Sequence, residues 1–215
     1  MSNFRFNITM TLDGYIAGPN ESVDRPLGEG AEHIHDWLLN LKSFREMHGD
    51  YSGRETGTND EVLREAFANI GATIMGRNMF GPATGPWGDD PWRGWWGDNP
   101  PFHGPVFVLT HHAREPLVMG GGTTFTFVTN GIESALNQAR EAAGGKDVAL
   151  GGGANAAQQY LAAGLLDEME IHLVPLLLGS GARLLDNLNG SNLKLDLVRT
   201  IGGPGVTHIR YRVVK

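Results

Sequence analysis

The chain has 215 residues, with 24 acidic against 17 basic side chains for a formal net charge of −7, and it holds 31 glycines, 11 prolines and no cysteine. A hydrophobic fraction of 40% with 19% charged places it among globular chains long enough to bury a sizeable core, not among disordered ones. The missing cysteine excludes disulfides, thiolate zinc sites, iron–sulfur clusters and cysteine nucleophiles, the acidic balance leaves no basic stripe for nucleic acid, and no apolar run nears the roughly 20 residues of a membrane helix. Met1 to Met10 has no positive region followed by an apolar one, so a cytoplasmic location is expected.

Phe4 to Met10 alternates apolar and polar residues, the period of a strand. Asp13-Gly14 then reads as a turn, Tyr15-Ile16-Ala17 as a short extended piece and Gly18-Pro19 as a break. Between Ala31 and Met47, Ile34, Trp37, Leu38, Leu41 and Phe44 fall three and four apart, which predicts one amphipathic helix. A second helix is expected over Asp60 to Asn69, then a buried strand over Ala72 to Met75. Gly81 to Pro105 is rich in glycine and proline and carries four of the five tryptophans, Trp87, Trp92, Trp95 and Trp96. It is too irregular for a regular element and too aromatic for a passive linker. Strands follow at Val106–Leu109 and Thr124–Val128, and a helix at Gly131–Ala143. Asp147–Leu150 reads as a strand running through Gly151-Gly152-Gly153 into a helix over Ala154–Ala163, capped by Gly164. Met169–Val174 is a strand, and Leu193–Thr200 with Val206–Val214 form a terminal antiparallel pair. Helices alternate with strands early and strands pair late, the pattern of a mixed-sheet α/β domain spanning residues 1–215.

Three places combine glycine or charge with a strand end. The Gly151-Gly152-Gly153 turn into a helix offers unpaired backbone N–H groups and the positive end of a dipole to a phosphate, or is simply a tight strand-to-helix turn. Arg77, after Met75-Gly76, leaves a strand end where open α/β sheets bind ligands; alone it also fits a surface arginine. Thr110-His111-His112-Ala113-Arg114 follows another strand, but adjacent side chains of an extended chain point apart, which argues against metal. His33, His35, Asp36 and His48 are better read as solvated polar residues than as a ligand cluster. No metal site is expected, and neither a G-x-S-x-G elbow nor an H-E-x-x-H helix is present.

Taken in order, Asp13-Gly14-Tyr15-Ile16-Ala17-Gly18-Pro19 after a first strand, Met75-Gly76-Arg77, Val106–Thr110 and Gly151-Gly152-Gly153-Ala154 resemble the dihydrofolate reductase superfamily over nearly the whole chain. Leu165-Leu166-Asp167-Glu168-Met169 followed by Pro175-Leu176-Leu177-Leu178-Gly179 looks especially like the C-terminal reductase domain of the bifunctional riboflavin-biosynthesis deaminase-reductases. The resemblance implies a three-layer α/β fold: a mainly parallel mixed sheet of about eight strands, flanking helices and an antiparallel C-terminal strand. It also implies NADPH as cofactor. Thr9, Ile16 and Ala17 would line the nicotinamide pocket, and Gly76, Arg77, Asn78 and Met79 would meet the diphosphate and adenosine side. Thr110, His111 and Arg114 would hold the ribose 2′-phosphate, while Gly151, Gly152, Gly153, Ala154 and Asn155 would wrap the diphosphate and the nicotinamide-side ribose.

The implied reaction is hydride transfer to a C=N or C=O carbon of a small heterocyclic or carbonyl substrate, and 5-amino-6-(5-phosphoribosylamino)uracil reduction is the nearest named activity. The alternatives are dihydrofolate reduction and, from another class, a nucleotide-binding or assembly module without turnover. Asp36, on the helix where dihydrofolate reductase carries its pteridine-holding carboxylate, is the catalytic candidate. Asp13 reads as a turn residue. Trp92, Trp95 and Trp96 would either stack on a flat substrate ring or form the interface of an expected homodimer. With no cysteine, the zinc deaminase half of the bifunctional enzymes is not expected here, and no convincing basic set for a ribose phosphate stands out.

Overall fold

The computed structural model describes residues 2–82, 85–89, 92–188 and 193–215. Strand β1 (Phe4–Thr11) turns through Asp13-Gly14 into β2 (Tyr15–Ala17). After a loop come α1 (Asp36–Leu39), α2 (Lys42–Met47) and α3 (Thr58–Phe67), then β3 (Ile70–Gly76) running directly into α4 (Arg77–Phe80). Beyond the tryptophan-bearing segment, whose residues 83–84 and 90–91 lie outside the described ones, come β4 (Pro105–Leu109), β5 (Leu117–Val118) and β6 (Thr124–Val128). The chain continues through α5 (Ile132–Ala142), β7 (Asp147–Leu150), α6 (Ala154–Ala162), β8 (Glu168–Val174), β9 (Ala182–Arg183), β10 (Lys194–Gly203) and β11 (Val206–Val214).

Nine of the described strands form one sheet in the order β10-β11-β8-β1-β7-β3-β4-β6-β5, one strand more than expected because the two-residue β5 adds an edge. The six strands from β8 to β6 are parallel; β11 runs antiparallel to β8, and β5 to β6. β1 lies between β7 and β8, so the chain returns to both sides of its first strand and opens a crevice at the carboxyl ends there.

One expectation fails. The predicted helix over Ala31–Met47 is two short helices separated at Asn40-Leu41. Leu41 is extended and bridges Glu55, whose carbonyl accepts the Lys42 N–H at 2.9 Å. The apolar spacing still serves its purpose, since Ile34, Trp37, Leu38 and Leu41 are buried together with Leu63. The helical turn α4 and strands β5 and β9 were not anticipated, being too short to carry a period.

The two faces of the sheet differ in chemistry. Phe4, Phe6, Ala72, Ile74, Val148 and Leu150 point to one face, where α5 and α6 cover them with Leu136, Ala139, Ala157, Tyr160 and Leu161. The opposite face carries two separate apolar clusters. Ile34, Trp37, Leu38, Leu41 and Leu63 pack on Val174 and Val206 at one end, while Met75, Phe80, Val106, Val108 and Phe125 gather Trp87, Trp92 and Trp96 at the other. The small and polar residues between them, Asn7, Thr9, Thr73 and Ala149, form the floor of a cleft.

Candidate functional site

That cleft encloses about 1520 Å³ and reaches from between the two clusters to the carboxyl ends of β3, β4, β6 and β7. It brings together Thr9, Ile16, Ala17, Gly76, Arg77, Asn78, Met79, Thr110, His111, Gly151, Gly152, Gly153, Ala154, Asn155, Trp95 and Trp96 from the sequence-derived candidates. Asp36, Arg114 and Trp92 do not line it. Asp36 is exposed and bonded to His33 at 2.9 Å on the outer side of α1. The Trp92 indole N–H donates to the Phe80 carbonyl at 2.9 Å, and its ring meets Trp95 edge-on. Trp96 stacks on Phe125, and Trp87 packs edge-on to Phe127. Much of the tryptophan segment is therefore a core for the β4–β6 side, a role set by aromatic partners more than 25 residues further along the chain.

Arg77 is the electrostatic centre of the glycine-lined end of the cleft. The residue is only 9% exposed, yet its Nε and Nη1 have no hydrogen-bond partner. Its guanidinium lies 3.6 Å from the centroid of Trp87, and Arg114 approaches the same ring at 4.8 Å. Arg114 also donates to the Trp92 carbonyl. Burial, with the like charge of Arg114, lowers the pKa of Arg77 from its ordinary value. Two cations share one indole, and neither has a carboxylate partner among the described residues. Orphaned buried donors of this kind are costly unless an anion meets them.

The glycine turn is built against this end. Gly152 and Gly153 have φ of +131° and +89°, a region that a side chain would strain. The Gly76 N–H donates to the Gly152 carbonyl at 3.2 Å, which holds the turn to the end of β3. Helix α6 has no side-chain cap, so its first N–H groups remain open to an acceptor. Asn78 and His111 are exposed, and the Thr110 hydroxyl accepts the His112 N–H at 3.2 Å. Orphaned Arg77 donors and uncapped helix N–H groups in one cleft fit the phosphates of a dinucleotide.

Several lining residues escaped the sequence reading. Glu21 sits on the loop after β2, and burial raises its pKa. His35 and His48, read from the sequence as solvated polar residues, instead line the cleft, and no three possible metal ligands cluster among the described residues. Trp37 reaches across from α1 to donate to the Thr9 hydroxyl at 3.2 Å. His172 faces the floor from β8. Asp13, read from the sequence only as a turn residue, is also a clamp: its carboxylate accepts the Thr11 hydroxyl at 2.6 Å and the Leu178 and Gly179 N–H groups.

Known structures share the fold. A putative riboflavin biosynthesis protein from Shewanella sp. PV-4 superposes with a TM-score of 0.63 at 23% identity, covering all of both chains. Acinetobacter baumannii RibD matches with a TM-score of 0.56 at 18% identity, and the chain spans 58% of its length. Dihydrofolate reductase from Enterococcus faecalis, complexed with NADP(H), matches at 0.50 and 12% identity over 99% of this chain and 97% of that one. These likenesses show the dihydrofolate reductase-like fold. No curated protein matches the chain by sequence. The family match to the RibD C-terminal domain covers residues 4–206, and the chain belongs to that family.

Proposed function

We propose that the protein is an NADPH-dependent reductase that delivers a hydride to a C=N or C=O carbon of a small heterocycle. The observation that carries this reading is Arg77, buried with two orphaned N–H donors beside an uncapped, glycine-lined helix start. When bound, the nicotinamide supplies the hydride. Arg77 and the N–H groups at the start of α6 hold the phosphates, with Thr110 and His111 toward the adenosine end. Thr9, Ile16 and Ala17 wall the ring end, where Ile16 and Ala17 exclude water. The proton that must accompany the hydride comes from water or from a lining carboxyl; Glu21, on the loop after β2, lines the cleft, and its pKa lies above the ordinary carboxylate value.

The RibD family and a structural match to the Saccharomyces cerevisiae riboflavin biosynthesis reductase Rib7 support a pyrimidine of the riboflavin route as substrate class. Asp36 lies outside the cleft, which weighs against dihydrofolate. The test is oxidation of NADPH, followed by loss of nicotinamide absorbance, across aminopyrimidines, pterins and quinones. Turnover with an aminopyrimidine is the expected result. Cofactor binding without oxidation by any member would replace the enzyme with a nucleotide-binding module.

A further inference from the structure

The cleft floor ends in a row of side chains that fixes where one proton sits. Thr9, His172 and His208 are direct cross-strand neighbours on β1, β8 and β11. Behind them, Asn59 on α3 completes a chain of hydrogen bonds that can be read from its far end. The Pro204 carbonyl can only accept, and it lies 3.1 Å from Asn59 Nδ2. That contact sets the amide orientation and leaves Asn59 Oδ1 as an acceptor. His208 Nε2, 3.1 Å from Oδ1, must therefore carry a hydrogen. In a neutral imidazole the other nitrogen is then bare, so His208 Nδ1 accepts. His172 Nδ1 lies 2.8 Å from it and must be the donor. Each assignment forces the next, and the last one leaves His172 Nε2 as a lone pair.

His172 is the member of the histidine pair that lines the cleft. His172 is only 3% exposed, and its Nε2 has no protein hydrogen-bond partner among the described residues. Trp37, with its ring centroid 4.9 Å from that of His172 and its N–H committed to Thr9, holds the imidazole from the side. We propose that His172 is a specificity-determining residue, presenting an unprotonated Nε2 that selects substrates carrying an N–H or O–H donor on the ring edge that meets it. Keto–enol or lactam rings with a free N–H qualify; N-alkylated rings do not. Burial and the neighbouring His208, Arg210, His35 and Arg199 lower the pKa of His172, which keeps the acceptor form in place near neutrality. The selection rests on the reductase reading, but the proton position does not.

Two measurements separate them. Long-range proton–nitrogen correlation spectra of the protein with isotope-labelled histidine report which ring nitrogen is protonated, and loss of the signal in His172→Gln identifies the residue. The expected pattern is a bare Nε2 and a protonated Nδ1. A protonated Nε2 overturns the proposal. In Asn59→Asp the new carboxylate, added to the nearby Glu170, should charge His208, whose Nδ1–H then donates to His172, and the proton should move to His172 Nε2. An unchanged pattern in that folded variant counts against the relay. Uracil and 1,3-dimethyluracil then serve as probes. Uracil should shift the Nε2 resonance and bind at least about fivefold tighter, the worth of roughly one hydrogen bond. Equal responses, or none to either, overturn the selectivity, while a separate NADPH titration shows whether the reductase reading stands.

Discussion

Arg77 shows how a single side chain can be costly to the fold and useful to the site. It is buried, bears a full charge and leaves two donors unmet, while Trp87 supplies only its π-face. Cation–π contact is worth about 0.5–2 kcal/mol and does not replace the lost hydration. An arriving phosphate would satisfy both donors, and charge-assisted bonds contribute roughly 1.5–3 kcal/mol. Arg77→Ala should therefore weaken NADPH at least about tenfold while leaving thermal stability unchanged or raised, as read by titration and melting of the same preparation. A melting temperature that falls with unchanged affinity would assign Arg77 to the fold alone. Arg77 was legible in the sequence because glycine-arginine after a buried strand places charge at a strand end. The partners of Arg77 were not, since Trp87 and Arg114 meet it only once the segments after β3 and β4 fold together.

At the scale of elements, the helix starts and strand ends do most of the positioning. Arg5 on β1 donates to the Glu65, Ala66 and Ala68 carbonyls and so caps the last turn of α3, tying that helix to the sheet. Glu170, 2% exposed, bonds Arg199 and Arg210, and both arginines reach Glu65 on α3. These ties carry α3 across a polar sheet face that apolar packing alone would not hold. They also place Asn59 against the hairpin between β10 and β11. A methyl at Gly203 would collide with Asn59 Oδ1, whereas Gly202 faces open space. Gly203→Ala should cost about 1–3 kcal/mol in urea unfolding, and Gly202→Ala within about 0.5 kcal/mol of nothing. Equal effects would mean that the hairpin does not press on Asn59. The long periodic elements α3, α5 and α6, and the strands β1, β3, β4 and β8, follow from the apolar periods. The break at Asn40-Leu41 does not, because it is set by a pairing with Glu55 that leaves no local mark.

Across the whole molecule, the sheet is apolar on one face and divided on the other, and the division makes the cleft. Tryptophan enrichment marked the β4–β6 side in the sequence, although its first use is packing. His172 and His208 were invisible there, since they are 36 residues apart and meet only through strand register. Their burial has a global consequence. Desolvation lowers the pKa of His172, with His208, Arg210, His35 and Arg199 adding to it; desolvation also lowers that of His208, opposed by Glu170. Below the ordinary value of 6.5 the unfolded chain binds protons that the folded chain refuses. Stability is thus complete above that pH and is lost progressively as pH falls beneath it. The urea midpoint should drop between about pH 7.5 and about pH 5, and His172→Gln should flatten the slope. A midpoint constant over that range would mean that the pair ionises without resistance.

On the proposed reading, the glycine-lined end of the cleft holds a phosphorylated nicotinamide cofactor. Titration with NADPH, following tryptophan emission alongside nicotinamide fluorescence, tests it directly, because Trp87 lies beneath Arg77 and Trp95 and Trp96 line the cleft. Saturable binding, tighter for NADPH than for NADH and weakened in Arg77→Ala, is the predicted result. No saturable signal from the wild-type protein, or an affinity indifferent to Arg77, would contradict the account.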